Sequence, residues 1–176
     1  MHNKIIISLF IAPFLSFCTT NKKVEETKKE VVETVEVAPV EVQKNLNPKV
    51  VMGNKFLAEK SREKGVVTLP SGLRYKVLTP GIGAKPLATN TIKAHYHGTL
   101  IDGTVFDSSV DRGQPFTAPV SRLIKGWTEA LQLMQVGGKW ELYIPYNLAY
   151  GTRGAGKSIK PYETLIFQIE LLEIVK

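Results

Sequence analysis

Apolar and polar side chains alternate along several segments in the second half of the chain, and this period of two is typical of β-strands with one buried face. In residues 164–174, for example, Leu165, Phe167, Ile169 and Leu171 share one face. The Asp102-Gly103 pair signals a hairpin turn. We predict strands at residues 73–78, 91–100, 105–107, 139–144 and 164–174. Residues 111–119, around Phe116, are predicted to form a turn-rich loop.

Two helices are predicted, one inside this strand-rich region and one before it. Ile124, Trp127, Leu131 and Met134 recur at steps of three and four, which predicts a short helix that ends at residues 137–138, both Gly. Period-two segments with one such helix predict an α+β fold in which an antiparallel sheet lies over the helix.

The earlier helix is predicted to begin at Asn47, as its N-cap, with Pro48 at the first helical position. We expect it to run to about Lys64, with Gly65 after its end. Its apolar stripe is expected to consist of Val51, Met52, Phe56 and Leu57, and the rest of its surface is charged.

The first 46 residues have a different composition. Residues 1–18 are predicted to be a signal peptide, with a short basic start, an apolar run over residues 5–17 and Cys18 at the end. The sequence Leu-Ser-Phe-Cys at residues 15–18 resembles a bacterial lipobox, in which the cysteine is lipid-modified; Phe17 stands where a small residue is usual. The alternative is an ordinary secretory signal with an incidental cysteine. Residues 19–46, rich in Lys, Glu and Val, are predicted to be a disordered spacer.

Charge and motifs exclude several function classes. The net charge is +7, but the basic residues are not concentrated in a run interleaved with aromatics, so we expect no nucleic-acid binding. His95 and His97 share a strand face opposite Tyr96 and lack further metal ligands, so we predict no metal site. Residues 151–157 look superficially like a phosphate-binding loop but lack its preceding strand-to-helix context, and no serine lies in a nucleophile elbow. No cofactor is expected.

Four motifs occur together in one order: VFDSS at 105–109, IKGW at 124–127, AYGTRG at 149–154 and TLIFQIELL at 164–172. In this order and spacing they resemble the FKBP-type peptidyl-prolyl cis-trans isomerases, with most similarity to the Mip-like and FkpA-like bacterial envelope branch. The resemblance covers residues 66–176 and, more weakly, the charged helix at 47–65. It implies the same fold as the period-two pattern: an antiparallel half-barrel sheet wrapped over one short helix.

The resemblance also implies roles for individual residues in an aromatic pocket. Trp127 would form the floor under a prolyl ring, Tyr150 would donate a hydrogen bond to a carbonyl, and Asp107 would be the carboxylate at the pocket edge, hydrogen-bonded to Tyr96. Catalysis would thus depend on Asp107, Tyr150, Trp127 and Phe106. Substrate binding would add Tyr96, Phe116, Leu123, Ile124, Ile159 and Phe167. Residues 151–157 would form a flexible flap, with Ala155 where the family often has His.

The implied function is acceleration of X–Pro bond rotation in proline-containing polypeptides of the bacterial cell envelope. The protein would be a monomer held at the outer membrane through lipidated Cys18, facing the periplasm or the cell surface, and a macrolide would block its pocket. Two alternatives remain. One is a chaperone-like or partner-binding module that uses the same pocket, and the other is a scaffold domain whose pocket is unused.

Overall fold

The computed structural model describes residues 46–175. They form two helices and seven strands, with short 3-10 helices at Val120–Arg122 and Tyr146–Leu148. The elements, in chain order, are α1 (Pro48–Lys60), β1 (Val66–Thr68), β2 (Arg74–Thr79), β3 (Thr91–Leu100), β4 (Val105–Ser108), β5 (Phe116–Pro119), α2 (Lys125–Leu133), β6 (Lys139–Ile144) and β7 (Leu165–Val175). The predicted α+β class with an antiparallel sheet is confirmed.

All strands belong to one antiparallel sheet whose order is β1-β2-β6-β7-β3-β4, and β5 pairs with β3 beside β4. β3 is the most heavily paired strand. Its whole length pairs with β7, while its other edge pairs first with β5 and then with β4. The register places Tyr96 opposite Ile169 and Gly98 opposite Phe167.

One face of the sheet packs on α2 and holds the core. Along β3 the buried residues are Ile92, Ala94, Tyr96 and Gly98, as strict alternation requires. β6 and β7 present Leu142, Ile144 and the predicted alternating residues of β7 to the same core. From α2, Trp127, Ala130 and Leu131 complete it. Gly126 allows close contact between helix and sheet, because a Cβ there would lie 2.6 Å from Ile144 Cγ2.

The opposite face of the sheet is covered in part by α1. Tyr143 alternates with core residues and therefore points away from α2, yet it is only 1% exposed. The Phe56 ring packs against its ring edge-on at 6.0 Å between centroids. Leu57 is buried, and Gly53 allows contact with Thr164 Oγ1. Lys49 forms an ion pair with the buried Glu163. α1 is thus packed against the domain.

The start of α1 is as predicted, but its end and its buried face differ. The Asn47 side chain accepts a hydrogen bond from the Lys49 backbone N–H at 3.0 Å, and Pro48 follows. The helix ends at Lys60 rather than Lys64, and turns lead to Gly65, whose φ is +85°. Met52 does not belong to the buried stripe: it is 58% exposed, because the face that meets the sheet consists of Val50, Gly53 and Leu57.

The prediction of a loop throughout residues 111–119 is wrong for its second half. Residues 116–119 form β5, whose Phe116 lies opposite Ala94 of β3. The pairing is decided by the free edge of β3, which lies far away in sequence, and four residues show too little periodicity to signal it.

The predicted signal peptide, Cys18 and nearly all of the predicted spacer lie outside the described residues. Within residues 46–175, no helix is long and apolar enough to cross a membrane.

We predict that Leu57→Ala lowers the free energy of unfolding by about 2–5 kcal/mol, because the deletion leaves a cavity under α1. Met52→Ala is the matched control: it shortens an apolar side chain on the same helix, but one that is largely exposed, and should change stability by less than about 0.5 kcal/mol. Urea denaturation, followed by tryptophan fluorescence and by far-UV circular dichroism, measures both. If Leu57→Ala lowers the free energy of unfolding no more than Met52→Ala does, α1 is not coupled to the fold.

Candidate active site

A cavity of about 490 Å³ opens on the α2 side of the sheet. Its walls come from β3, β4, β5, β7, the start of α2 and the loop that precedes β7. All ten predicted pocket residues line it: Tyr96, Phe106, Asp107, Phe116, Leu123, Ile124, Trp127, Tyr150, Ile159 and Phe167. The remaining lining residues are Arg122, Ala155, Gly156, Lys157 and Ser158.

Aromatic rings meet edge to face around the floor of this cavity. Trp127 packs against Tyr96 with centroids 5.4 Å apart and planes at 82°, and against Phe167 at 5.2 Å and 87°. Phe106 continues the wall against Phe167 at 5.3 Å, and Phe116 packs on Tyr96 at 5.6 Å. Each such pair adds about 0.5–1.5 kcal/mol beyond the burial of its area, so the rings hold one another in place.

Gly98 leaves the space in which two of these rings lie. A Cβ at this position would lie 2.6 Å from Phe106 Cζ and 2.9 Å from Phe167 Cε1. Gly98 follows Tyr96 on the same face of β3, so the strand presents one large ring and then no side chain. The Phe106 and Phe167 rings pack over the bare backbone, and any larger residue would push them into the cavity.

Asp107 is held at the edge of the cavity by two donors. The Tyr96 hydroxyl donates to one carboxylate oxygen, and the Arg112 guanidinium donates to the other. Arg112 Nη2 also donates to the Tyr96 hydroxyl oxygen at 3.0 Å, which closes the triangle. The carboxylate is therefore fixed in place and its charge is balanced by an adjacent cation.

The pKa values of this cluster follow from those contacts. Partial burial acts to raise the pKa of Asp107, but the hydrogen bonds from Tyr96 and Arg112 outweigh it, and the pKa lies below its usual value. Burial, together with the hydrogen bond to Asp107, raises the pKa of Tyr96. At neutral pH Asp107 is a carboxylate and Tyr96 a neutral donor. A low-pKa carboxylate engaged by two donors is a poor general base.

Tyr150 also lines the cavity and is 39% exposed. Burial of its hydroxyl and the negative charge of Asp107 raise its pKa, so it remains a neutral donor at neutral pH. It lies just after the 3-10 helix at Tyr146–Leu148. Farther along the same connection, residues 155–159 form a loop closed by two backbone hydrogen bonds between Ala155 and Ile159, at 2.8 and 3.1 Å.

The Trp127 indole is fixed by packing rather than by polar contacts. It is 4% exposed, and its Nε1–H has no hydrogen-bond acceptor among the described residues. The cavity thus offers apolar walls, a fixed carboxylate and a neutral hydroxyl. This arrangement suits binding and desolvation of a neutral, apolar group between the walls.

His95 and His97 lie on the opposite face of β3 from Tyr96, as alternation predicts. His95 Nδ1 lies 3.0 Å from the Ser109 hydroxyl, and His97 Nδ1 lies 3.0 Å from the Ser108 hydroxyl. Both histidines are half-buried and neither lines the cavity. They tie β3 to the segment that follows Asp107.

Sequence reasoning missed Gly98, Arg112 and Arg122. Arg112 lies in the turn after β4, and its contact with Asp107 depends on how that turn folds back, which no periodicity records. Gly98 could have been found from its place two residues after Tyr96 in a strand, where glycine signals close approach of another group. Arg122 could have been found from its position directly before Leu123.

We predict that Arg112→Gln raises the pKa of Asp107 toward its ordinary value of about 3.9, because the variant lacks a charged donor. Since the folded-state pKa of Asp107 is depressed, its contribution to stability is present above the unfolded-state pKa and is lost as pH falls through the folded-state pKa. The stability difference between the natural protein and Arg112→Gln should therefore vanish in acid. NMR titration of the Asp107 carboxyl and urea denaturation against pH measure the two effects.

Arg122→Gln is the control for that experiment. Arg122 lines the same cavity but makes no ion pair with any residue in the described range 46–175. Its loss should leave the pKa of Asp107 nearly unchanged. An equal shift in both variants would mean that general positive charge, rather than the Arg112 contact, lowers the pKa.

Family models, curated relatives and solved structures all point to the same family. The model of the FKBP-type peptidyl-prolyl cis-trans isomerases matches residues 83–172, and that of the domain amino-terminal to FKBP-type isomerases matches residues 2–77. The FKBP-type 22 kDa peptidyl-prolyl cis-trans isomerase of Escherichia coli is 56% identical over 123 residues, 70% of this chain and 60% of that protein. Outer membrane protein MIP of Legionella longbeachae is 52% identical over 124 residues, 70% of this chain and 53% of that protein.

Among solved structures, a peptidyl-prolyl cis-trans isomerase of Pseudomonas syringae superposes with a TM-score of 0.68 at 39% identity, covering 79% of this chain and 98% of that one. The matched part spans little more than half the length of the two curated relatives. The resemblance carried by the four motifs is confirmed. The chain belongs to the family of FKBP-type peptidyl-prolyl cis-trans isomerases.

Proposed function

We propose that this protein is a peptidyl-prolyl cis-trans isomerase that accelerates rotation about X–Pro bonds in polypeptides. The observation that carries the proposal is the cavity itself: five edge-to-face aromatic residues enclose it, and the one carboxylate on its wall is already satisfied by Tyr96 and Arg112. Such a site favours a reaction that needs shape and desolvation and transfers no proton.

The physics of the X–Pro bond explains why such a site is sufficient. Resonance stiffens the amide and gives a rotational barrier of roughly 18–20 kcal/mol, so the uncatalysed change takes tens of seconds or more. At the transition state the amide is twisted, its resonance is lost and its carbonyl is less polar. A desolvated pocket therefore destabilises the planar amide more than the twisted one, which lowers the barrier by differential binding.

The lining residues divide into three roles under this proposal. Trp127 supports the prolyl ring, and Phe106, Phe167 and Tyr96 exclude water around it. The Tyr150 hydroxyl donates to a substrate carbonyl, and Asp107 orients Tyr96 and sets the field near the rotating carbonyl. The peptide chain extends along Phe116, Leu123, Ile124 and Ile159. A macrolide that fills the same cavity would compete with the substrate.

We predict that the protein accelerates cis-to-trans relaxation of Leu-Pro and Ala-Pro peptides, that a pocket-filling macrolide inhibits it, and that Tyr150→Phe lowers kcat/KM about two- to tenfold. That range corresponds to the loss of one hydrogen bond of about 0.5–1.5 kcal/mol. Tyr146→Phe is the matched control: it removes the same hydroxyl from a tyrosine four residues earlier that does not line the cavity. An NMR exchange assay measures the rates of the natural protein, Tyr150→Phe and Tyr146→Phe.

The outcomes separate enzyme from binding module. Inhibitable acceleration with a loss specific to Tyr150→Phe supports the isomerase. A folded protein that accelerates none of the peptides, yet suppresses aggregation of an unfolded client, would replace it with a chaperone-like module. Equal kinetics in the two tyrosine variants would show that the role of Tyr150 is misassigned.

We further propose that the protein acts in the bacterial cell envelope as a monomer tethered through lipidated Cys18. The apolar run at residues 5–17, the lipobox-like sequence at 15–18 and the spacer-like composition of residues 19–46 support this. So does the similarity to a protein called an outer membrane protein in Legionella longbeachae. A flexible spacer of this length would span about 30 Å on average, enough to hold the domain off a membrane.

We predict that the full chain, expressed in a bacterium with lipoprotein processing, incorporates a fatty-acid analogue and partitions with membranes, and that Cys18→Ala abolishes the label. Since Cys18 is the single cysteine in the chain, no other thiol can take it up. Label retained by Cys18→Ala would overturn the tether. Secretion without label would support the ordinary secretory signal instead.

A further inference from the structure

The charged residues on the cavity wall are unevenly balanced. Of the fifteen lining residues, only Asp107, Arg122 and Lys157 carry a charge at neutral pH. The negative charge of Asp107 is already compensated by the guanidinium of Arg112. Arg122 and Lys157 are both exposed, and neither forms an ion pair with a residue in the part of the chain that the structure describes. Two uncompensated positive charges therefore line the cavity.

These two charges lie on different walls. Arg122 ends the 3-10 helix that precedes α2, directly before the lining residues Leu123 and Ile124. Lys157 is the middle residue of the loop 155–159, whose ends are joined by the two hydrogen bonds between Ala155 and Ile159. The base of that loop is thus defined by backbone pairing, and Lys157 lines the cavity from its tip.

Neighbouring features have the same sign. Lys125 opens α2, and the first turn of that helix contains no acidic residue to offset the partial positive charge of its N-terminus. The cavity walls between the charges are aromatic and have a low dielectric constant compared with water. Clefts with such walls concentrate the field of charges at their rim and raise the local concentration of opposite charges.

We propose that Arg122 and Lys157 select acidic substrates, namely polypeptide segments with Asp or Glu within about two residues of the proline. This inference rests on the proposed isomerase function and names its substrate class. One residue of extended chain spans about 3.3–3.6 Å, so a carboxylate two residues from a bound proline lies about 7 Å away, within reach of flexible basic side chains at the rim. Segments with Lys or Arg at those positions would be disfavoured.

The selection should act on binding more than on the chemical step. The carboxylate and the rim charges stay in place while the X–Pro amide rotates, so their attraction is similar in ground and transition states and changes KM rather than kcat. Both side chains are exposed, so each contact is screened by water and contributes modestly. Together they should favour acidic over basic segments about five- to tenfold in kcat/KM at low salt, and the preference should fade in salt.

The test compares peptides that differ in one charge. The full chain is assayed by NMR exchange on blocked peptides Xaa-Ala-Pro-Phe and Ala-Xaa-Pro-Phe with Glu, Gln or Lys at Xaa. Blocked ends leave the side chain at Xaa as the only charge, and an assay without a coupling protease avoids that enzyme's own preference. We expect a Glu-to-Lys ratio of kcat/KM of about five or more, carried by KM, which falls toward one in about 1 M salt.

Two double variants localise the effect. Arg122→Gln with Lys157→Gln should bring the ratio close to one. Arg153→Gln with Lys160→Gln removes the same net charge from the neighbouring connection, but neither residue lines the cavity, so the ratio should persist. Because the readout is a ratio between peptides, it cancels any change in activity common to all of them.

Dissociation constants for the same peptides, from shifts of the Trp127 indole resonance, separate the two levels of the proposal. If the protein accelerates all peptides, and the Glu and Lys peptides have equal kcat/KM and equal dissociation constants, charge selection is wrong and the isomerase function stands. Absence of acceleration with Glu-selective binding that the Arg122/Lys157 variant abolishes would overturn the isomerase and support charge selection. If the Arg153/Lys160 variant lowers the Glu-to-Lys ratio of kcat/KM as much as the Arg122/Lys157 variant does, the proposal is also wrong, since net charge alone would then explain the preference.

Discussion

The register between β3 and β7 is the constraint on which the site depends. It pairs Tyr96 with Ile169 and Gly98 with Phe167, so the large rings of the two strands fall on the face that α2 covers. A shift of β7 by one residue would turn Phe167 to the other face while Tyr96 stayed in place, so the two rings would no longer meet. The buried alternation along both strands opposes such a shift, because it would expose the whole apolar set of the shifted strand. Core packing and pocket assembly are therefore one and the same requirement.

The electrostatics of the site follow from the same scaffold. Asp107 stands at the end of β4, opposite Gly98, where the Tyr96 hydroxyl reaches it from β3. The turn after β4 then returns Arg112 to the other carboxylate oxygen. A buried, uncompensated carboxylate would attract protons or metal ions and would hydrate the cavity. Here Tyr96 and Arg112 satisfy the charge of Asp107 at the cavity wall. The interior of the cavity can therefore remain apolar while this polar cluster lies at its edge.

Much of this could be predicted from sequence because the relevant signals are periodic or local. The limits of β3, the buried face of β7, the Trp127 face of α2 and the Asn47 cap each depend on neighbours within about one turn or one strand. The features that escaped prediction depend on distant partners. β5 exists because β3 has a free edge, and Met52 is exposed because the sheet meets α1 through Gly53.

The contacts between pocket residues could not be predicted from the periodicity that predicts their strands and helices. Periodicity alone places Phe106, Trp127 and Phe167 in separate buried elements and does not indicate that these elements meet. The order of four family motifs supplied that information, and the cavity contains every residue they implicated. Arg112 belongs to none of those motifs, and its contact depends on the conformation of one turn, so neither route could find it.

The closed loop at residues 155–159 has a consequence for how such a protein can diversify. Its backbone is fixed at Ala155 and Ile159, while Gly156, Lys157 and Ser158 are exposed between them. Side chains at the tip contribute little to the core, so most substitutions at 157 and 158 should leave folding intact. The same positions face whatever enters the cavity. Substitutions at a few solvent-exposed positions can therefore change which ligands are preferred and leave the aromatic floor of the cavity unchanged.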